Sequence, residues 1–464
     1  MVRVTLIVLL VAVVSACALK APPEIDQIRA QALPNLAVPA QWVEKGGVAG
    51  TIASGWLAAF ADPKLDALVR EAIANNPDLR SAAARVEQAA GYAKAAGATL
   101  YPQVNLLARG GGSLSGDSSG LEGAGIFVNW ELDLWGRVRA GREAAQLQYQ
   151  SAALDTEYAR QSIAALVCKS WFLATEARLQ KASAEDMLRA SERLVGLAQD
   201  RLRVGKGDEY DVTVAQANLQ SYRDTVLQLD LAYRQAVRAL ETLVGRYPAA
   251  ALETPAVFPA RPGPVPVGMP SELLERRPDV VAAERRVATA FQRTEEAKAA
   301  RLPRISLTAA VTTISSELFV LKDRDDPVWS AGASLMAPLY LGGALQSQVE
   351  IRTAEQKVAV AEFGRVGARA FSEVENALSS GFNLEERASI LARAVSENER
   401  AVELANVRYR VGSGDLRAVQ QQQFALYGVR MALLRVRGEQ LVQRVNLHLA
   451  LGGNFETPAV AASR

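Results

Sequence analysis

Histidine is almost missing from these 464 residues: there is one, His448, beside two cysteines and no concentrated run of lysine or arginine. With one imidazole and, once Cys17 is counted as lipidated, one free thiol, no transition-metal site has enough soft ligands. The Gly116-Asp117-Ser118-Ser119-Gly120 segment has the spacing of a nucleophile elbow, but an elbow needs a strand-to-helix turn and a histidine base. It falls instead in a Gly- and Ser-rich loop, so hydrolase chemistry is not expected and no catalytic residue is assigned. Fifty-two basic residues against fifty acidic ones leave a net charge of +2, which gives no electrostatic footprint for nucleic acid. No apolar run reaches the roughly twenty residues that a membrane-spanning helix needs. Any membrane crossing must therefore be made by strands.

The first residues have the layout of an export signal: Arg3, then the apolar run from Val4 to Val14, then Ser15-Ala16-Cys17. Val14-Ser15-Ala16-Cys17 resembles the bacterial lipobox, in which the cysteine thiol takes the lipid. Residues 1–16 are then a removed signal peptide and Cys17 the lipidated first residue, carrying the one non-protein group expected here. Ala18, rather than Asp, fits outer-membrane sorting. Cys168 is left without a partner, so no internal disulfide is expected. It lies among Ala164, Ala165, Leu166 and Val167 and reads as a buried small hydrophobe. From Ala21 to about Ala40 the prolines suggest an extended tether.

The chain is a duplication. Asn76-Pro77-Asp78 is answered by Arg277-Pro278-Asp279, Tyr101-Pro102 by Leu302-Pro303, and Arg203-Val204-Gly205-Lys206-Gly207-Asp208 by Arg410-Val411-Gly412-Ser413-Gly414-Asp415. A period of about two hundred residues is too long for solenoid units of roughly 20 to 50. Each half begins with helices, at Lys64 to Ala74 and Asp78 to Ala98 in the first and at Asp279 to Arg301 in the second. The periodicity then becomes alternating. Val104, Leu106 and Ala108 face one way and Gln103, Asn105 and Arg109 the other. On the return, Ile126, Val128, Trp130, Leu132 and Leu134 oppose Asn129, Glu131 and Asp133. The second half repeats this with Ile305, Leu307, Ala309 and Val311, then Trp329, Ala331, Ala333 and Leu335.

Strands of roughly ten residues suit a tilted bilayer crossing. Four of them cannot close a barrel, whose smallest membrane form has about eight strands, so several copies must associate. Trp130, Trp135, Trp329 and Tyr340 lie near strand ends, where an aromatic girdle would sit. Counted back from Gly136 and Gly342, the two return strands alternate out of phase by one residue, which a bulge near Pro338 would explain. Glu131 and Asp133 read as lining a wet lumen or holding the strand-to-helix junction rather than as paired acid and base. Long helices follow, Arg137 to Arg203 and about Gly343 to Arg410, each roughly 100 Å if unbroken. Each is returned by a shorter one, Glu209 to about Gly245 and Leu416 to Leu451. Their narrow apolar seams suit side-by-side packing in a wall one helix thick.

Several separate signatures carry a family resemblance: the segment from Trp130 through Asp133, Gly136 and Arg137 to Arg139, the Arg276-Arg277-Pro278-Asp279-Val280 run, both Arg-Val-Gly turns, Asp211-Val212, and Ala450-Leu451-Gly452-Gly453. Over essentially the whole mature sequence the chain resembles TolC-like outer-membrane efflux proteins, in their lipoprotein branch.

The resemblance implies an α+β membrane protein, a homotrimer whose twelve-stranded transmembrane β-barrel takes four strands per chain and continues as a long periplasmic α-helical barrel. It further implies an exit duct joined to an inner-membrane pump by a periplasmic adaptor, surrounded by outer-membrane lipids. It places adaptor docking at Val204, Gly205, Gly207, Val411, Gly412 and Gly414. A periplasmic constriction would involve Asp211, Asp415, Arg417, Gln421 and Phe424. Many relatives carry Asp and Arg where this chain has Gln421 and Phe424, so a ring of carboxylates is not expected to shut this tube. The domain division is a tether and equatorial segment at 17–62, repeats at 63–248 and 276–453, a Pro-rich linker at 249–275 and a tail at 454–464. An adaptor or scaffolding lipoprotein, the competing reading, would show one helical hairpin between β-rich halves rather than two hairpins and two strand pairs.

Overall fold

The computed structural model describes residues 21–52, 54–109, 122–315 and 328–456. Cys17, the Gly116–Gly120 motif and most of the C-terminal tail lie outside the described residues. After a first short helix, each repeat contributes two shorter helices or turns, a strand pair, a long helix and a return helix. In chain order these are α1 (Ile25–Ala32), α2 (Pro63–Asn75), α3 (Pro77–Ala98), β1 (Gln103–Arg109), β2 (Glu122–Leu132), α4 (Arg137–Arg203) and α5 (Glu209–Leu243). The second set is a short turn at Pro270–Arg276, α6 (Pro278–Ala299), β3 (Arg304–Ser315), β4 (Val328–Met336), α7 (Ala344–Arg410) and α8 (Leu416–Ala450). No described helix is long and apolar enough to cross a membrane.

Two compact units are present, and they cut across the repeats. One comprises the chain up to Leu36 with Ala83–Asp155 and Asp279–Gly367; the other comprises Ala37–Ala82, Thr156–Pro278 and everything from Ala368.

The first unit holds one antiparallel sheet in the order β1-β2-β3-β4. Its register joins the apolar sets anticipated from alternation. Val104 lies opposite Val128 and Leu106 opposite Ile126. Across the repeat boundary Ile126 meets Val311, Val128 meets Ala309 and Trp130 meets Leu307; Val311, Ala309 and Leu307 then meet Trp329, Ala331 and Ala333. Directly opposed residues share a face, so one side is apolar across all four strands. The other presents Asn105, Asn129, Ser306, Thr308 and Ser334, interrupted by Leu107 and Phe127. Val104, Leu106, Trp329 and Leu335 are exposed within the chain. An apolar patch of this extent marks a lipid or protein contact.

Two expectations in this unit are corrected. The stretch read as an extended tether contains α1, with Ile28 buried. A Cβ at Gly364 of α7 would come within 2.5 Å of the Ala32 carbonyl oxygen, so α1 ends in close backbone contact with that helix. Composition registers the prolines at 22 and 23 but not this contact. Nor is there a bulge near Pro338: β4 pairs without interruption and ends at Met336. The phase difference is absorbed outside the sheet, because Ala337–Gly343 joins β4 to α7 whereas Asp133–Gly136 suffices between β2 and α4.

The second unit has a core of Trp56, Phe60, Leu65, Trp171, Phe172 and Leu240 with their neighbours. Cys168 belongs to it, fully buried, and burial raises its thiol pKa so that it stays protonated. The duplicated Asn-Pro-Asp and Arg-Pro-Asp positions do equivalent work here. Asn76 donates from Nδ2 to the Leu243 carbonyl at 3.0 Å and accepts the amides of Asp78 and Leu79 on Oδ1, capping α3. Arg277, fully buried, donates from Nη1 to the Ala450 carbonyl at 3.1 Å and to Glu373 Oε2 at 2.6 Å. Each therefore ties the start of a helix to the end of its repeat's return helix.

Candidate functional site

At the junction between β2 and α4, the polar and aromatic residues of the Trp130-to-Arg137 segment are engaged with one another or with the backbone. Strand β2 stops at Leu132, so Asp133 and Leu134 do not continue its faces. Asp133 instead accepts the amides of Val138 at 3.0 Å and Arg139 at 2.9 Å, and the Arg139 Nε at 3.1 Å. A carboxylate on the open amides of a helix N-terminus satisfies donors and complements the helix dipole. Glu131 receives Arg137 through Nε at 3.0 Å and Nη2 at 2.8 Å, a bidentate pair. Hydrogen bonding to Glu131 is the main cause raising the Arg137 pKa. Gly136 turns the chain at φ 75°, in the left-handed region that favours glycine. Trp130 and Trp135 donate their indole N–H groups to the carbonyls of Leu100 at 2.9 Å and Pro303 at 2.6 Å. Both tryptophans thus anchor the strand base.

The two helix reversals are built alike. Gly205 has φ 69° and Gly412 φ 82°. Lys206 N donates to Arg201 O at 2.8 Å and Gly205 N to Leu202 O at 3.0 Å; Ser413 N and Gly412 N repeat this on Arg408 and Tyr409 at 2.9 and 3.2 Å. That pairing is a Schellman ending. Asp208 and Asp415 start the return helices by accepting Asp211 N at 2.8 Å and Ala418 N at 2.7 Å. The second glycines sit in close quarters: a Cβ on Gly207 or Gly414 would meet Arg201 or Arg408 Cβ at 3.1 Å. Val204 and Val411 are exposed at 62 % and 72 %, one apolar side chain at each turn.

Beneath the turns, Leu194, Ala198, Ala215, Leu219, Tyr409 and Leu416 form a small core joining both helical hairpins. The Arg201 guanidinium stacks 4.5 Å over the Tyr409 ring and donates to the Tyr409 and Lys206 carbonyls. Arg417 donates to the Tyr210 hydroxyl at 3.3 Å. Burial first, then Asp208, raises the pKa of Asp211; Asp415 adds to this, while Arg201 and Arg417 oppose it. Of the constriction candidates, Asp211, Asp415 and Arg417 therefore share one charged cluster. Gln421 and Phe424 do not join it: both are exposed on α8, Phe424 at 67 %. Sequence reading overlooked Arg201, Tyr409 and Tyr210. The only available signal was their position beside the repeated turns.

A two-faced sheet of four strands feeding unbroken helices is the build of an outer-membrane duct. The outer membrane efflux protein profile matches residues 68–246 and 269–453. The chain belongs to this family. It is 30% identical over 417 residues to the pyoverdine export outer membrane protein OpmQ of Pseudomonas putida, covering 86% of this chain and 88% of OpmQ. The cation efflux system protein CusC of Escherichia coli K12 is 28% identical, with 86% of this chain and 89% of CusC covered. Among solved structures, the open state of the Neisseria gonorrhoeae MtrE outer membrane channel superposes with a TM-score of 0.81 at 27% identity, covering 95% of this chain and 99% of MtrE. The fold is that of a trimeric outer-membrane efflux channel, in which β1 to β4 are one chain's share of a transmembrane β-barrel continued by an α-helical barrel. The protein is an efflux channel of the Gram-negative outer membrane, reaching into the periplasm.

Proposed function

We propose that the protein is the exit duct of a tripartite system, passing drugs or other small molecules from an inner-membrane pump through a periplasmic adaptor to the exterior. The observation that carries this reading is the continuous register of the sheet, apolar on one face and largely polar on the other, leading directly into the long helices. OpmQ is named for pyoverdine export and CusC for cation efflux, both small cargoes. The duct works as a conduit rather than a catalyst: Glu131 and Asp133, the paired carboxylates nearest the strands, are taken up by Arg137 and by the start of α4. Adaptor hairpins dock on the two turns, where Val204 and Val411 supply exposed apolar contacts.

Deleting the gene should raise cell accumulation of the pump's substrates several-fold, and the plasmid-borne gene should reverse this. Unchanged accumulation with the cognate pump expressed would refute the reading. Cys17 carries the lipid anchor, each buried methylene adding about 0.8 kcal/mol of membrane affinity. Mass spectrometry of the mature N-terminus should find Cys17 acylated, and an unmodified Cys17 would contradict that assignment.

A further inference from the structure

We propose that α3 of one copy and the first turns of α7 of the next form an antiparallel coiled coil, with Ile351 seated over Gly91 and Val358 over Ala84. This rests on the trimeric reading and adds to it the register and the side chains that set it.

Strands β1 and β4 are the two edges of the sheet. Open edges do not persist in lipid, so β4 of one copy must meet β1 of its neighbour. Helix α3 leads into β1 through Thr99–Pro102, and α7 leaves β4 through Ala337–Gly343. Closing the sheet therefore also brings these two helices side by side, running in opposite directions.

Both carry an uncovered seam. On α7, Ala344, Ser347, Ile351, Ala354 and Val358 are all exposed, Ile351 at 51 % and Val358 at 63 %. They alternate three and four residues apart, the spacing of coiled-coil core positions. The stripe through Leu345, Val349, Gln356 and Phe363, roughly half a turn away, is half-buried or buried within the chain. On α3, Ala84, Gln88, Gly91, Ala95 and Ala98 are exposed with the same alternation. A Cβ at Gly91 would meet nothing within 4 Å. One helix thus offers two branched aliphatic knobs and the other a row of small residues broken only by Gln88.

Antiparallel alignment from the membrane end sets Ala98 opposite Ala344, Ala95 opposite Ser347, Gly91 opposite Ile351, Gln88 opposite Ala354 and Ala84 opposite Val358. Every bulky residue then meets a small one. In the flanking positions, which set partner and orientation in coiled coils, Lys94 faces Glu350, Glu87 faces Lys357 and Arg85 faces Glu355. Slipping by one heptad would place Lys94 against Lys357, or in the other direction Glu87 against Glu350. Charge therefore selects the same register that shape does.

The test uses the full-length chain in outer membranes, with paired substitutions Gly91→Cys and Ile351→Cys, under mild oxidation. A disulfide-linked trimer is expected on a non-reducing gel, with each single variant giving none. The off-register pair Gly91→Cys and Val358→Cys should give far less. A trimer by light scattering that lacks the first crosslink, or gives both equally, would overturn this register while leaving the trimer standing; a wild-type chain that is not trimeric would overturn the trimer itself. Independently of cysteine, Lys94→Glu should lower the temperature at which the trimer dissociates and Glu350→Lys added to it should restore it. Failure of the second change to rescue the first would count against the pairing.

Discussion

His448 shows how a single residue's surroundings become a property of the whole protein. Its ring stacks on Trp56 at 5.5 Å with 10° between planes, at 8 % exposure, and burial with the nearby Arg444 lowers its pKa to about 4. An unfolded chain binds that proton near the ordinary value of about 6.5. The folded state therefore loses nothing above pH 6.5 and loses stability as pH falls from there toward 4, because the unfolded state takes up the proton first. By pH 5 this one group costs about 2 kcal/mol. Thermal melting of the detergent-solubilised protein should show that loss between pH 7.5 and 5, and His448→Phe, which keeps an aromatic ring against Trp56, should reduce it. An unchanged pH dependence in the variant would assign the effect elsewhere.

At the scale of elements, helices and strands were legible because they repeat simple periods. Arg137–Arg203 and Glu209–Leu243 follow from uninterrupted helix-forming composition bounded by Gly136 and by the turn at Gly205. The apolar strand positions found their partners by alternation alone. Misread elements depended on information that no local pattern holds. Formation of α1 involves the burial of Ile28 and a close approach at Gly364, contacts with residues distant in sequence. The Arg201–Tyr409 stack joins residues two hundred positions apart in the chain and has no periodicity to betray it. The sheet offers a sharp check of face assignment. Val128→Arg, on the apolar face, should hinder membrane insertion by roughly 2–4 kcal/mol if it lies near the bilayer midplane, whereas Asn129→Arg, one residue along on the polar face, should insert almost as the parent does. Quantifying heat-modifiable protein in outer-membrane fractions measures this, and equal loss from both would contradict the faces.

At the scale of the molecule, the proposed duct needs two things at once, a sheet seated in the membrane and a solvent-facing turn after each long helix. The turns supply the most direct test. Placing valine at Gly205 and Gly412 forces a left-handed backbone on a branched residue, at a cost of about 1–2 kcal/mol per site, yet neither position has a neighbouring atom within 4 Å for the new side chain to strike. The turns should deform without disrupting the core formed by Leu194, Ala198, Leu219 and Tyr409. The decisive measurement is substrate accumulation in cells expressing Gly205→Val with Gly412→Val, alongside the amount of trimer in their outer membranes. Wild-type trimer levels with accumulation as high as in the deletion strain are expected; wild-type export with both turns altered would rule out docking at these turns.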